Sequence, residues 1–113
     1  MTDHSRFEVA IDDEEGRLLA AADIDLTDPS VARVVLHVQA RNAPPGTRSR
    51  LVDAVLAVPE VAARRHLQVA LPLGETEILE RVRERCDGSQ ARAAGFTCFV
   101  DADVREAQQP ETD

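Results

Sequence analysis

The sequence predicts an α/β fold of the α+β type: a mixed five-stranded sheet with elements in the order β-β-β-α-β-α-β. Three observations carry that expectation. Near the start, Phe7, Val9 and Ile11 alternate with Glu8, Ala10 and Asp12, and Leu18, Ala20, Ala22, Ile24 and Leu26 resume the alternation, the period of half-buried strands. A third apolar segment runs into Pro44-Pro45-Gly46 and directly on into a stripe of helical period. A second strand–helix pair then precedes one last apolar strand.

Each element has a local cause. Asp12-Asp-Glu-Glu-Gly16 is turn chemistry joining the first two strands into a hairpin. Thr27-Asp-Pro-Ser30 makes a second turn, its bend set by Pro29. Residues 31–40 form a third strand, with Val34, Leu36 and Val38 on one face and Val35, His37 and Gln39 on the other. Leu51, Val52, Val55 and Leu56 mark the first helix, ended or kinked by Pro59. Leu67, Val69 and Leu71 mark a fourth strand, closed by Pro72 and Gly74. Residues 75–86 read as the second helix, with Ile78, Leu79, Val82 and Cys86 on one face, Glu77 and Arg81 as an i,i+4 pair, and Asp87-Gly88 as its stop. Residues 96–104 are the last strand. Residues 6–104 thus read as one domain, after a frayed start, and 105–113 as a mobile polar tail. Short links favour antiparallel pairing of the first three strands, and the helix between the third and fourth favours a right-handed parallel crossover.

The composition narrows the function classes. A chain of 113 residues suits a single modest core. Without Trp or Tyr, that core is expected to be aliphatic, with Phe7, Phe96 and Phe99 as its only rings. A net charge of -8 disfavours nucleic acid as a partner. Arg33, Arg41, Arg48, Arg50, Arg64 and Arg65 nevertheless outweigh Asp53 and Glu60 through the middle of the chain, which suits a small anionic ligand or a solvated surface of ion pairs. No apolar run reaches the roughly 20 residues of a membrane span, and the polar start is no signal peptide, so a cytoplasmic protein is expected, with no membrane partner. Cys86 and Cys98 have neither metal spacing nor a redox motif and read as packing residues with reduced thiols. With no acidic or cysteine ligands spaced around His4, His37 and His66, no metal site is expected. The acidic run at 12–15 reads as a solvated hairpin tip.

The joint around Gly46 admits two readings. Strand, glycine turn and helix start bring free amides and the helix dipole together, a seat for phosphate formed by Gly46, Thr47, Arg48 and Ser49 with Arg50 nearby. The same residues also make an ordinary turn with Thr47 or Ser49 as helix cap, and Pro44 and Pro45 donate no hydrogen bonds. His37 lies on the strand beside this turn. An imidazole titrating near ~6.5 can serve as a base, although the sequence shows no carboxylate partner, and a structural role competes with that one.

The element order, Val38, Gly46, Leu51-Val52 and the Ala94-Gly95-Phe96 before the last strand together resemble the GNAT acetyltransferase superfamily. In that family a turn of the form Gln/Arg-x-x-Gly-x-Gly/Ala follows a strand-ending Val and gives its amides to the phosphates of acetyl-CoA. The resemblance implies acetyl-CoA as cofactor, held around Val38, Gly46, Thr47, Arg48, Ser49 and Arg50, with His37 as candidate catalytic residue. The chain departs from the pattern: Ala43 and Arg48 stand at the outer motif positions, no Tyr exists near Ala91 to protonate a leaving thiolate, and the first strand and paired helices have no counterpart. The resemblance therefore implies a truncated, degenerate member. A catalytically degenerate domain with residual acyl-CoA binding or a protein-interaction role ranks first, an unrelated α/β interaction module second, and an active small N-acetyltransferase third. Five strands under only two helices leave apolar sheet to be covered, so a homo-oligomer or a protein partner is expected.

Overall fold

The computed structural model describes residues 5–39 and 43–105. Its strands are β1 (Arg6–Asp12), β2 (Leu18–Asp25), β3 (Val31–Val38), β4 (His66–Pro72), β5 (Cys86–Ala94) and β6 (Thr97–Val104). The helices are α1 (Thr47–Ala57), the single turn α2 (Pro59–Ala62) and α3 (Thr76–Arg85). They form one mixed sheet in the order β1-β2-β3-β4-β6-β5. The α+β class and the early meander agree with the sequence reading, but the sheet has six strands, not five.

The added strand is β5, which the sequence reading assigns to the end of the second helix and its exit loop. Cys86-Asp-Gly-Ser-Gln-Ala-Arg-Ala-Ala lacks both alternation and β-branched residues, so no strand signal is present. Pairing creates the strand: Ala94 opposes Thr97 across a two-residue loop with Gly95 first at φ +65°, and the ladder continues to Cys86 opposite Val104. Cys86 therefore opens a strand instead of ending a helix. Arg105, expected in the mobile tail, is fixed by Asp87 Oδ1 at 2.9 Å and by the carbonyl of Glu84 at 2.6 Å. The remainder of the tail, residues 106–113, and the start at 1–4 lie outside the described residues.

α1 and α3 pack side by side on one face of the sheet. Leu51, Val52, Val55 and Leu56 of α1 and Ile78 and Val82 of α3 meet Ile24, Val34, Leu36, Leu67, Val69, Leu71 and Val100 in one aliphatic core. None of the three phenylalanines is fully buried, contrary to expectation: Phe7 is half-buried, Phe99 lies on the other face of the sheet, and Phe96 at the β5–β6 turn is 93% exposed. Phe7 packs against the core from its margin, and short aliphatic side chains fill the rest of the gap between sheet and helices without Phe96 or Phe99.

The helix-free face is largely polar. Arg33 Nε donates to Gln68 Oε1 (3.3 Å), Gln68 Nε2 donates to Asp101 Oδ1 (3.1 Å), and His66 Nδ1 lies 2.8 Å from Asp103 Oδ1. Val35 is its exposed large aliphatic residue, and Arg92 stacks on Phe99 with its guanidinium carbon 5.4 Å from the ring centre.

Leu51 has no exposed surface and sits at the centre of the helix–sheet contact. Leu51→Ala is expected to lower stability by about 2–5 kcal/mol, as loss of a fully buried leucine does, which urea unfolding followed by circular dichroism measures directly.

Candidate functional site

β3 and β4 pair in parallel from Val31 opposite His66 to Val35 opposite Ala70, and the ladder stops there. Both strands continue, but each with its other neighbour: Val38 still faces Ala20 of β2, and Pro72 still faces Thr97 of β6. The two strands therefore diverge beyond Val35 and Ala70. The gap is a cavity of about 230 Å³ between Leu36 and His37 on one side and Leu71 and Pro72 on the other, with Phe96 and Thr97 at its end. The Leu73 amide donates to the Phe96 carbonyl at 2.9 Å and holds the β5–β6 turn beside the opening.

His37 lines this cavity, and the structure supplies the carboxylate that the sequence does not reveal. Asp23 Oδ2 lies 3.2 Å from His37 Nε2. Asp23 is opposite Val35 and Ala21 opposite His37, so the pair is a diagonal across the β2–β3 ladder on the helix-free face. Alternation alone places both side chains on one face, but only the register makes them neighbours. Both remain more than half exposed.

The turn after β3 leads to the start of α1 at the same end of the sheet as the gap. Gly46 occupies the helix N-cap with φ +90°, a backbone region open chiefly to glycine, and no side chain caps the helix there. The Thr47 amide donates to the Pro44 carbonyl (3.2 Å) and the Arg50 amide to the Gly46 carbonyl (3.0 Å). Neither Thr47 nor Ser49 is the cap that the ordinary-turn reading expects; Thr47 is buried. Residues 40–42 of the turn are outside the described residues.

A carboxylate from α3 takes the place of that cap. The amide and the hydroxyl of Ser49 both donate to Glu77 Oε2, at 3.0 and 2.8 Å. Arg48 is paired with Glu75, the N-cap residue of α3, and both side chains are more than four-fifths buried. That hydrogen bond raises the Arg48 pKa above its ordinary value and keeps the guanidinium charged. Of the residues expected to greet a phosphate, Arg48 and Ser49 are thus engaged by Glu75 and Glu77. The amides of Gly46 and Arg48 have no hydrogen-bond partner among the described residues. Arg50 is exposed, and Val38 is half-buried at the end of β3.

The i,i+4 pair expected between Glu77 and Arg81 gives way to these contacts. Arg81 instead grips Asp53 of α1 through two hydrogen bonds of 2.8 and 3.0 Å, and Arg85 adds a third at 2.5 Å. Arg81 chiefly, with Arg85, holds the Asp53 carboxyl below its ordinary value of 3.8. Burial pushes the Cys86 thiol up, which suits packing and not nucleophilic attack, and Cys98 is also buried. Among the described residues no cluster of three or more His, Cys, Asp or Glu side chains is placed to hold a metal ion, and no helix is long and apolar enough to cross a membrane.

No family model and no curated protein matches the sequence. Solved structures do match the fold. A candidate phosphinothricin N-acetyltransferase superposes with a TM-score of 0.67 at 14% identity over 92% of this chain and 75% of its own. The GNAT superfamily phosphinothricin acetyltransferase from Sinorhizobium meliloti, solved in complex with AcCoA, gives 0.63 at 13% identity over 89% of this chain and 62% of its own. Mutant forms of the spermidine/spermine N-acetyltransferase from Vibrio cholerae give 0.64 at 9% over 94% and 70%. The chain has the GNAT acetyltransferase fold, and it spans somewhat under two thirds of the Sinorhizobium enzyme's length.

The Asp53 contacts generate a pH prediction. A carboxyl whose folded pKa is depressed adds stability above its ordinary value and loses it as pH falls through the depressed one. Asp53→Asn should therefore lower the urea midpoint near neutral pH, and the difference from wild type should shrink on acidification below about pH 4.

Proposed function

We propose that this GNAT-fold domain binds the acyl-pantetheine arm of an acyl-CoA-type thioester in the gap between β3 and β4, with acetyl-CoA as the simplest such ligand. The observation that carries the reading is the end of parallel pairing after Val35 and Ala70. Past that point the even-numbered residues of β3 face the gap, so the main chain of Val38 has no ladder partner on β4 and Pro72 has no amide to offer the Leu36 carbonyl. A pantetheine chain carries amides that pair with strand edges. The aliphatic walls from Leu36 and Leu71 suit its methylene segments. A relative of the same fold crystallised with AcCoA supports the ligand class.

The catalytic equipment is reduced. The chain contains no Tyr, so no phenol is available to protonate a departing thiolate. One observation favours a second reading, an N-acetyltransferase: His37 borders the gap and is oriented by Asp23, so its imidazole is placed to accept a proton from an acceptor amine. A thiolate whose conjugate acid titrates near ~8.5 leaves without strong acid assistance. The absence of Tyr alone therefore does not separate binder from enzyme.

Calorimetric titration with acetyl-CoA and acetyl-pantetheine tests the binding site. Ala70→Phe places a ring at the apex of the gap and is expected to abolish the binding heat while the far-ultraviolet circular dichroism stays native. Heat that survives this substitution unchanged removes the gap as the binding site. An amine panel with acetyl-CoA then separates the readings: turnover that vanishes in His37→Gln while binding persists identifies an enzyme, and no turnover in the wild type identifies a binder.

A further inference from the structure

We infer that Glu77 sets the ligand class of this site, selecting acyl-pantetheine-type thioesters over those extended by a nucleotide diphosphate. The inference rests on the proposed thioester site between β3 and β4 and narrows what that site takes.

A diphosphate attached to an arm lying in the gap would meet the start of α1, because β3 leads through the Gly46 turn into that helix. A helix start attracts anions through its free amides and its dipole. Here an anion already belongs to the fold. Glu77 Oε2 accepts from both the amide and the hydroxyl of Ser49, so two of the donors that would reach a phosphate are taken. Of the two cations in the first turn, Arg48 is neutralised by Glu75 in a largely buried pair and is not free to turn outward, and Arg50 is exposed. The amides of Gly46 and Arg48 have no partner among the described residues, but a diphosphate that reaches from them to Ser49 must displace one carboxylate and lie beside a second. Neither cost applies to a neutral acyl-pantetheine, whose contacts end within the gap. Glu77 leans the same way whatever the acyl group is, because it acts at the opposite end of the ligand.

Nothing about α3 alone requires this arrangement. Glu77 lies one turn before Arg81 and could pair with it, as isolated helices favour. Arg81 is instead drawn to Asp53 and Glu84, which leaves Glu77 free to serve α1. The ion pairs that hold the two helices together thus also place the carboxylate.

The test uses the full chain as wild type, Glu77→Ala and Glu77→Gln, each titrated with acetyl-pantetheine, acetyl-CoA and inorganic pyrophosphate. Amide chemical shifts at Gly46, Arg48 and Ser49 are followed alongside the heats. In the wild type, acetyl-CoA is expected to bind no more tightly than acetyl-pantetheine. In Glu77→Ala it should gain about tenfold, the scale of one charge-assisted hydrogen bond, while acetyl-pantetheine is unchanged. Pyrophosphate alone should move the three amides in the variant and leave them still in the wild type. Glu77→Gln keeps the cap without the charge, should fall between, and serves if the alanine variant fails to fold. Wild-type preference for acetyl-CoA by more than about tenfold overturns the inference. So does a pyrophosphate response that is equal, or equally absent, in wild type and variants. If neither thioester binds any form, the gap is not a thioester site, and the pyrophosphate arm still decides the role of Glu77.

Discussion

β3 keeps β2 along one edge as far as Val38 opposite Ala20, and β4 keeps β6 along one edge as far as Pro72 opposite Thr97. The β3–β4 ladder stops three residues short of the end of β3, at Val35. Each strand can follow only one neighbour once the neighbours twist apart, and here the antiparallel partners win over the parallel one. Pro72 reinforces the outcome, since it has no amide with which to close the ladder. Unpaired main chain, an aliphatic cavity and an imidazole with its carboxylate then meet at one end of the sheet. None of these groups needs to be placed separately, because all follow from where the ladder ends.

The helix layer is held by charge as well as by apolar packing. α1 starts at Gly46 without a side-chain cap of its own, a deficit that costs roughly a few tenths of a kcal/mol at a glycine cap. Glu77 supplies the missing acceptor from α3, and Asp53 of α1 receives Arg81 and Arg85 in return. The two helices therefore complete each other's polar groups, with Val52, Val55 and Val82 beneath them. This reciprocity engages the amide and hydroxyl of Ser49 in the first turn of α1, while the amides of Gly46 and Arg48 have no partner among the described residues. The acceptor that completes the first turn of α1 is thus a carboxylate supplied by the neighbouring helix.

Much of the fold is legible in the sequence because alternation at Phe7–Ile11 and Val31–Val38, and helical spacing at Leu51–Leu56, report burial on one side of each element. In β2 the expected alternation fails, with Leu18 exposed and Leu19, Ala20, Ala21 and Ala22 all buried. β5 is not legible. It is an edge strand of polar and alanine residues, nearly all exposed, whose only cause is the turn at Gly95-Phe96 and the apolar β6 beside it. The site is legible in part. Gly46 and His37 stand out locally, but Asp23, Glu75 and Glu77 enter through strand register and helix packing, between residues 14 to 28 positions apart. The Glu77–Arg81 spacing even pointed to the wrong partner, because local spacing says nothing of the Asp53 carboxylate that competes for the same arginine.

The helix-free face bears on where function resides. A sheet face without a covering layer is stable in water only if its side chains are solvated or paired, and here Arg33, Gln68 and Asp101 form a chain across β3, β4 and β6 while His66 meets Asp103 and His37 meets Asp23. Most of these groups satisfy one another across strands, so the centre of the face presents few unmet hydrogen bonds. The unmet groups lie instead at the diverging end of β3 and β4, together with the exposed Phe96 and Leu73 at its rim. Apolar side chains beside unpaired main chain are what a ligand lying in the gap would cover together, as proposed for this end of the sheet.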